Sequence, residues 1–386
     1  MPIWQDNDKY YLMNKTTTEA HPLRFIVSGG GTGGHIFPAI SIANALKEAV
    51  PEAEILFVGA ENRMEMQRVP AAGYPIVGLP VSGFDRKHLL KNVKTLCNLL
   101  KSMRKARQVV KDFQPAAVIG VGGYASGPTL RAAASLGIPT LIQEQNSYAG
   151  VTNKLLAAKA KRICVAYKGM ERFFPAEKIL MTGNPVRQDL LLSAQLREEA
   201  RKHYQLDSEK SVLLIVGGSL GAGTINKALE NSLETLRAAS NVEILWQTGR
   251  YYYPGIMERI GKDIPANVHV MEFIDRMDYA YAVADLVVSR AGASTISELC
   301  LLGKAAILVP SPNVAEDHQT KNAMALVKEN AAVMLTDAET PAKLVPSALE
   351  LLQQPERLNQ LRSNVLKLAQ HDSAARIAAE VLKLTE

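Results

Sequence analysis

Gly29-Gly30-Gly31-Thr32-Gly33-Gly34-His35 follows directly on the apolar run Leu23 to Ser28, and its reading decides the fold. Leu23 to Ser28 has the length and content of a short buried strand. Pro38 to Val50 carries helical spacing through Ala39, Ile42, Ala43 and Leu46. Five glycines and a histidine thus stand where a strand turns into a helix. Such a junction lets main-chain N–H groups approach a ligand closely and aims the positive end of the helix dipole at an oxyanion. A phosphate, a pyrophosphate or a sugar hydroxyl can be held there.

The pattern returns almost two hundred residues later. Ser211 to Val216 reads as a strand, Gly217-Gly218-Ser219-Leu220-Gly221-Ala222-Gly223 as the junction, and a helix is expected from near Thr224. A third junction is Asp285 to Ser289 followed by Arg290-Ala291-Gly292-Ala293-Ser294-Thr295-Ile296-Ser297-Glu298, where a Ser or Thr can cap the helix. Short apolar runs at 23–28, 54–58, 76–79, 116–120, 139–143, 163–166 and 179–182, and again at 211–216, 243–248, 268–271, 285–289 and 305–309, alternate with helical stretches. That alternation predicts an α/β fold with two parallel sheets, helices on both faces, and a ligand cleft beyond the strand ends. The expected divisions are a polar extension at 1–20, a first domain at 21–187, a second at 188–369 and a terminal helix at 370–386 able to pack on either domain.

The 386 residues suffice for two domains with their own cores, and 47% hydrophobic with 21% charged content is globular. No apolar run reaches the roughly 18 residues of a membrane-spanning helix. The first twenty residues lack the apolar centre of a secretory signal. Cys97, Cys164 and Cys300 form no CxxC pair, so neither a disulfide framework nor a zinc knuckle is suggested, and the cytoplasm is the default. The charge is concentrated: residues 84–112 carry nine Lys or Arg against Asp85 and Asp112, a local +7 beside +6 for the whole chain. Leu89, Leu90, Val93, Leu96, Cys97, Leu100 and Met103 interleave with those bases after Phe84. The stretch is either a core helix with a solvated basic face or a face for anionic lipid headgroups. No nucleic-acid motif accompanies it, and no nucleic-acid partner is expected.

Gly29, Gly31 and Gly34 also satisfy GxGxxG, but a dinucleotide site should place an acid at the end of the next strand, and Glu61 comes late. His35 favours other chemistry. At the start of a helix its imidazolium is disfavoured, so it tends to be a neutral base, the alternative being a turn histidine bonded to backbone. Gln143-Glu144-Gln145-Asn146 offers amides for sugar hydroxyls and a carboxylate able to tune a base, or is an ordinary loop. Val121 to Pro128 is a further glycine junction, with Tyr124 as its polar aromatic. Ser219 and nearby N–H groups suit an α-phosphate, and Arg187 a pyrophosphate. Glu298 suits ribose hydroxyls or else a capping box, and Gln319, within Asp317-His318-Gln319-Thr320-Lys321-Asn322, suits a sugar.

The first loop, Gln143 to Asn146, Gly183-Asn184-Pro185-Val186-Arg187, the second loop, Arg290 to Glu298 and the Asp317 to Asn322 cluster stand in the order of the MurG family, which the chain resembles over roughly 23–384. The resemblance implies a GT-B architecture, two Rossmann-like domains facing across a cleft, and inverting transfer of GlcNAc from UDP-GlcNAc to the C4 hydroxyl of MurNAc in undecaprenyl-pyrophosphoryl-MurNAc-pentapeptide, from lipid I to lipid II of peptidoglycan. It implies donor contacts from Thr32, Gly33, Gly34, Asn146, Arg187, Ser219, the main-chain amide of Ile274 toward uracil, Ala293, Ser294, Thr295, Ile296, Ser297, Glu298 and Gln319. His35 is the expected base, with Glu144 or Asn146 as its positioning partners. No cofactor is expected. No metal role falls to the Asp6-Asn7-Asp8 triplet, so the expectation is work without a divalent ion. A peripheral place on the cytoplasmic face of the inner membrane is implied, docked through the basic stretch. Other enzymes of this fold acting on UDP-sugars, epimerases among them, and an NAD-dependent dehydrogenase are the competing readings.

Overall fold

The computed structural model describes residues 22–31, 33–81, 92–186, 190, 195–218, 220–314 and 317–386. Thr32, Arg187, Ser219, the extension at 1–20 and the docking residues Phe84, Lys87, Leu89, Leu90 and Lys91 lie outside them.

Seven parallel strands make the first sheet: β1 (Arg24–Ser28), β2 (Glu54–Ala60), β3 (Ile76–Leu79), β4 (Ala117–Gly120), β5 (Thr140–Glu144), β6 (Arg162–Val165) and β7 (Ile179–Met181), in the order β3-β2-β1-β4-β5-β6-β7. Ile26 lies between Leu56 on one side and Val118 on the other. Strands covered on both faces must be apolar throughout, which is why they are legible as runs rather than alternations. The second sheet has six: β8 (Ser211–Val216), β9 (Val242–Gln247), β10 (Val268–Met271), β11 (Leu286–Ser289), β12 (Ala306–Leu308) and β13 (Val333–Met334), in the order β10-β9-β8-β11-β12-β13. The two-residue β13 is too short for any periodicity to announce it.

In both sheets the strand order reverses at the same place, β1 beside β4 and β8 beside β11. A parallel sheet opens a crevice beyond the carboxyl ends of the strands at such a reversal. All four glycine junctions follow one of these four strands. The terminal helix Ser373–Lys383 packs on the first lobe: Ala374, Ile377, Ala378 and Val381 are buried in the core that holds Phe25, Val27 and Ile36. The chain therefore returns from the second lobe to brace the helix behind the first loop, Gly33–Ala49.

The basic helix differs from the expectation of an apolar core face. In Asn92–Phe113 the buried residues are Thr95, Ser102, Ala106 and Val110, while Leu96 and Leu100 are 53% and 54% exposed. Its inward side is small and partly polar because it lies close on the helix Ser126–Ser135. Leu96 and Leu100 are left facing solvent, while Leu99, Met103 and Val109 are half-buried.

At the amino ends of the second sheet's strands, opposite the glycine loops, Asp285 holds β8 to β11. Its carboxylate accepts the Val212 N–H at 2.9 Å and pairs with Arg197 at 3.0 Å and Arg362 at 3.7 Å. Lys304 is half-buried beside this cluster and donates to the Ala284 carbonyl at 3.1 Å. Burial, with the Arg197 charge second, pulls its ammonium down to about 8 against the favourable field of Asp285. The unfolded chain thus holds the extra proton between about pH 8 and 10.5, and the folded protein gains stability as pH rises through that window. Lys304→Met is expected to raise the thermal midpoint at pH 7, with the advantage over the parent shrinking above pH 8. An advantage that stays constant from pH 7 to 10 would contradict the assignment.

Candidate active site

The first glycine loop is held open by a carboxylate. Glu65, 1% exposed, accepts the Gly31 N–H at 3.0 Å through Oε2 and the Ala60 N–H at 3.0 Å through Oε1, so β2 and the loop after β1 share one anchor. From the other side of the crevice the loop after β4 closes in. Gly123 has φ +87°, and a Cβ there would stand 2.4 Å from the Gly30 carbonyl oxygen. Only a residue without a side chain fits both the backbone conformation and the contact.

His35 lies half-buried in the first turn of Gly33–Ala49, with Nδ1 3.0 Å from Gln145 Oε1. Burial pushes its imidazole below the ordinary 6.5, and the nearby His318 adds to this, against the opposing pull of Glu144, Gln145 and the Val121 carbonyl. The result is a neutral ring at pH 7. Glu144 has a different place from the expected one. It makes no hydrogen bond with His35. Its Oε1 accepts the Asn146 N–H at 3.0 Å, and its Oε2 accepts the Gly150 N–H at 3.0 Å and Asn153 Nδ2 at 2.8 Å. Two residues of the loop and one of the helix after it thus converge on a buried carboxylate that shapes the loop and reaches the base only as a charge. The direct partner of His35 is Gln145.

In the second lobe the loops after β8 and β9 interlock: a Cβ on Gly221, at φ +84°, would stand 2.0 Å from the Thr248 carbonyl oxygen. Gln247 Nε2 donates to the Gly218 carbonyl at 2.9 Å, and its Oε1 accepts the Ile274 N–H at 3.0 Å. The Ile274 amide expected to face uracil is therefore already engaged. The helix Ala293–Leu302 begins after Gly292 with no side-chain cap, which corrects the expectation of a Ser or Thr there. Its first-turn N–H groups are left for a ligand. Glu298 stands too far inside the helix for a capping box, and its Oε2 accepts from Tyr281 Oη at 2.9 Å. Ser294 Oγ is buried without a partner among the described residues. Gln319 Oε1 accepts the Ser311 N–H at 2.8 Å, which orients its amide at the start of His318–Val327.

Buried amides join the two lobes. Asn322, fully buried, accepts the Ser147 N–H at 2.9 Å and donates to Asn146 Oδ1 at 3.1 Å. Asn184 donates to Ser297 Oγ at 2.9 Å. Of the residues that the sequence reading placed in one cleft, these bonds tie Asn146 of the first lobe to Asn322 of the second, and Ser297 of the second to Asn184 of the first.

The chain matches the glycosyltransferase family 28 N-terminal domain over residues 25–165 and the C-terminal domain of that family over 212–379. It is 61% identical over 363 residues to the UDP-N-acetylglucosamine--N-acetylmuramyl-(pentapeptide) pyrophosphoryl-undecaprenol N-acetylglucosamine transferase of Parabacteroides distasonis, covering 94% of this chain and 98% of the relative. It is 60% identical to the protein of that name from Bacteroides fragilis, covering 97% and 98%. The crystal structure of Acinetobacter baumannii MurG superposes with a TM-score of 0.72 at 30% identity, covering 94% of this chain and all of that one. The chain belongs to the MurG family.

The MurG fold is the GT-B arrangement expected of the sequence. A UDP-GlcNAc 2-epimerase from Neisseria meningitidis has the same fold at a TM-score of 0.65 and 13% identity, a likeness of fold alone. The dinucleotide reading loses its acid, since Glu61 is paired with Lys105 at 3.0 Å on the surface. Within this MurG-type site, sequence reasoning missed Glu65 and Gln247 as organising residues, read Gln145 only as an amide for sugar hydroxyls, and quoted Asn184 and Asn322 without giving them a role. Their common signal was a polar residue at or just beyond a strand end or on a cleft helix, which many loops share. Glu65→Leu should orphan two N–H groups, each costing about 1–3 kcal/mol. A denaturant titration should show that loss, with Glu65→Gln intermediate because one acceptor remains. Parent-like stability in Glu65→Leu would remove the carboxylate as the loop's anchor.

Proposed function

We propose that the cleft carries out inverting transfer of GlcNAc from UDP-GlcNAc to the MurNAc C4 hydroxyl of undecaprenyl-pyrophosphoryl-MurNAc-pentapeptide, making lipid II. The observation that carries the substrates is the 61% identity across almost the whole of both chains. The geometry supports a single displacement. His35, neutral and with Nδ1 turned to Gln145, takes the hydroxyl proton at Nε2 as the acceptor oxygen bonds the anomeric carbon. The bond from that carbon to UDP breaks, and the charge growing on the β-phosphate meets main-chain N–H groups at the uncapped starts of Gly223–Glu230 and Ala293–Leu302. Asn146, held by Asn322 and Glu144, is the amide offered to the donor sugar in this reading. Thr32, Arg187 and Ser219 keep the donor roles that the family resemblance gives them.

The first lobe is the one that meets a lipid surface. Leu96, Leu100, Tyr124, Val151 and Leu155 are all more than half exposed. Tyr124, Val151 and Leu155 line a cavity of about 510 Å³, with Arg131 and Lys159 on its wall, between Asn92–Phe113, Ser126–Ser135 and Val151–Leu156; Leu96 and Leu100 stand on the first of these helices, whose Thr95 and Leu99 face the cavity. An apolar patch with basic neighbours suits anionic headgroups. No helix among the described residues is long and apolar enough to cross a membrane.

Mixing the protein with UDP-GlcNAc and a lipid I analogue should release UDP and give the disaccharide product; an altered sugar without transfer would mark an epimerase instead. His35→Ala is expected to lower turnover by about 10²- to 10⁴-fold with UDP affinity unchanged. In the parent, kcat/KM should fall toward acid with a midpoint below 6.5, because the folded protein disfavours the imidazolium. Parent-like turnover in the variant would exclude His35 as the base. Leu96→Glu with Leu155→Glu should weaken co-sedimentation with phosphatidylglycerol vesicles, and undiminished binding would leave that face a solvated surface.

A further inference from the structure

A line of buried hydrogen bonds, each donating in the same sense, runs from the base to the donor helix of the other lobe. His35 Nδ1 lies 3.0 Å from Gln145 Oε1; Gln145 Nε2 donates to Gln143 Oε1; Gln143 Nε2 donates to Asn184 Oδ1 at 2.9 Å. Asn184 Nδ2 donates to Ser297 Oγ at 2.9 Å, and Ser297 Oγ donates to the Ala293 carbonyl at 3.0 Å, in the first turn of Ala293–Leu302. Gln143, Gln145 and Asn184 are at most 3% exposed.

Two main-chain carbonyls, which can only accept, fix the sense of the line. The Val121 carbonyl is 2.7 Å from Gln145 Nε2, so that end of the amide is nitrogen and the end facing His35 is oxygen. The Gln145 carbonyl is 3.0 Å from Asn184 Nδ2, so Asn184 turns its nitrogen toward Ser297 and its oxygen toward Gln143. With Oε1 of Gln145 an acceptor, His35 Nδ1 carries the hydrogen and Nε2 keeps its lone pair.

We propose that Asn184 is a positioning residue of the transfer reaction: it reads the placement of Ser297 on the donor lobe and, through Gln143 and Gln145, holds His35 as the Nδ1–H tautomer with Nε2 open to the acceptor. The inference rests on the reading of His35 as base and extends it to regulation of that base by the donor helix. Asn184 reaches neither substrate nor proton in this scheme. When the lobes stand as they do here, every polar atom of its side chain is bonded; when Ser297 withdraws, one amide hydrogen of Asn184 is orphaned and the line loosens at its end. The base is thereby best ordered when the donor helix is seated.

The test uses the full chain with UDP-GlcNAc and a lipid I analogue, and compares Asn184→Leu, Ser297→Ala and Ser297→Thr. Asn184→Leu should lower kcat about tenfold with KM for UDP-GlcNAc within about twofold. The acid-limb midpoint should move further down, since the bond to Gln145 is one of the interactions that favour the protonated ring. Ser297→Ala, a single hydroxyl on the opposite lobe, should move that midpoint the same way, and Ser297→Thr should restore it. Asn184→Leu with Gln145→Leu should be no slower than the worse single variant, because both cut one line. If Asn184→Leu does not fold, the two Ser297 variants carry the comparison. An unmoved midpoint in folded Ser297→Ala, or losses that multiply in the double variant, would overturn the proposal. The His35 imidazole titration, followed by NMR without turnover, separates this failure from a failure of the transfer reading.

Discussion

The site depends on the reversal of strand order between β1 and β4, repeated between β8 and β11. Helices leaving neighbouring strands in opposite directions open a crevice, and the loops on its two walls can approach as closely as their backbones allow. Gly123 and Gly30 take that approach to its limit, with no room for a Cβ between them. What lines such a crevice is main chain rather than side chain. A surface of N–H groups suits phosphate oxygens and hydroxyls and does not require a bound charge to be neutralised by another buried charge.

The polar machinery around the base follows the same economy. Gln143, Gln145, Asn184 and Asn322 are neutral amides with almost no exposure, and Asn184 and Asn322 bond across from one lobe to the other. Ion pairs in the same positions would lose more on desolvation than good geometry returns. Amides lose less, but they are demanding in direction: each has two donors at one end and an acceptor at the other, and a wrong turn leaves a buried group unpaired at about 1–3 kcal/mol. Four such groups in one network therefore admit few arrangements of the two lobes. The single buried carboxylate near His35, Glu144, is surrounded by the N–H groups of its own loop and contributes a field without a contact.

Much of this was legible in the sequence and some of it was not, for identifiable reasons. Strands buried on both faces read as apolar runs, so twelve of the thirteen strands were placed nearly at their bounds, and only Val333–Met334 was too short to leave a mark. Glycines at strand ends marked the four junctions. The phase of Asn92–Phe113 was not legible, because Leu96 and Leu100 look like core residues until the small side chains of the neighbouring helix show that Ser102 and Ala106 must face inward. The cap at Gly292 and the engagement of the Ile274 amide depend on long-range partners, which spacing along a chain does not reveal. For the same reason Glu144 or Asn146 was read as the partner of His35, and Gln145 was passed over. A charge beside a histidine is the more familiar pattern, whereas the pairing is decided by which side chain the turn after β5 points back toward Val121.

The exposed apolar residues and the base share their supports. Tyr124 and the helix Ser126–Ser135 begin where the loop after β4 ends, and the space that a side chain at Gly122 would need is filled by the His35 ring. Val151 and Leu155 belong to the helix that follows Gly150, whose N–H is held by Glu144. Two short helices thus present apolar side chains outward at a surface and fix the loops around the imidazole at their amino ends. If that surface rests on a bilayer, an acceptor whose tail stays in the lipid is met by the same lobe that holds the imidazole. Across the crevice from that surface, the amide line ties the His35 ring to the first turn of Ala293–Leu302, so the placement of the base is bound to the placement of the second lobe.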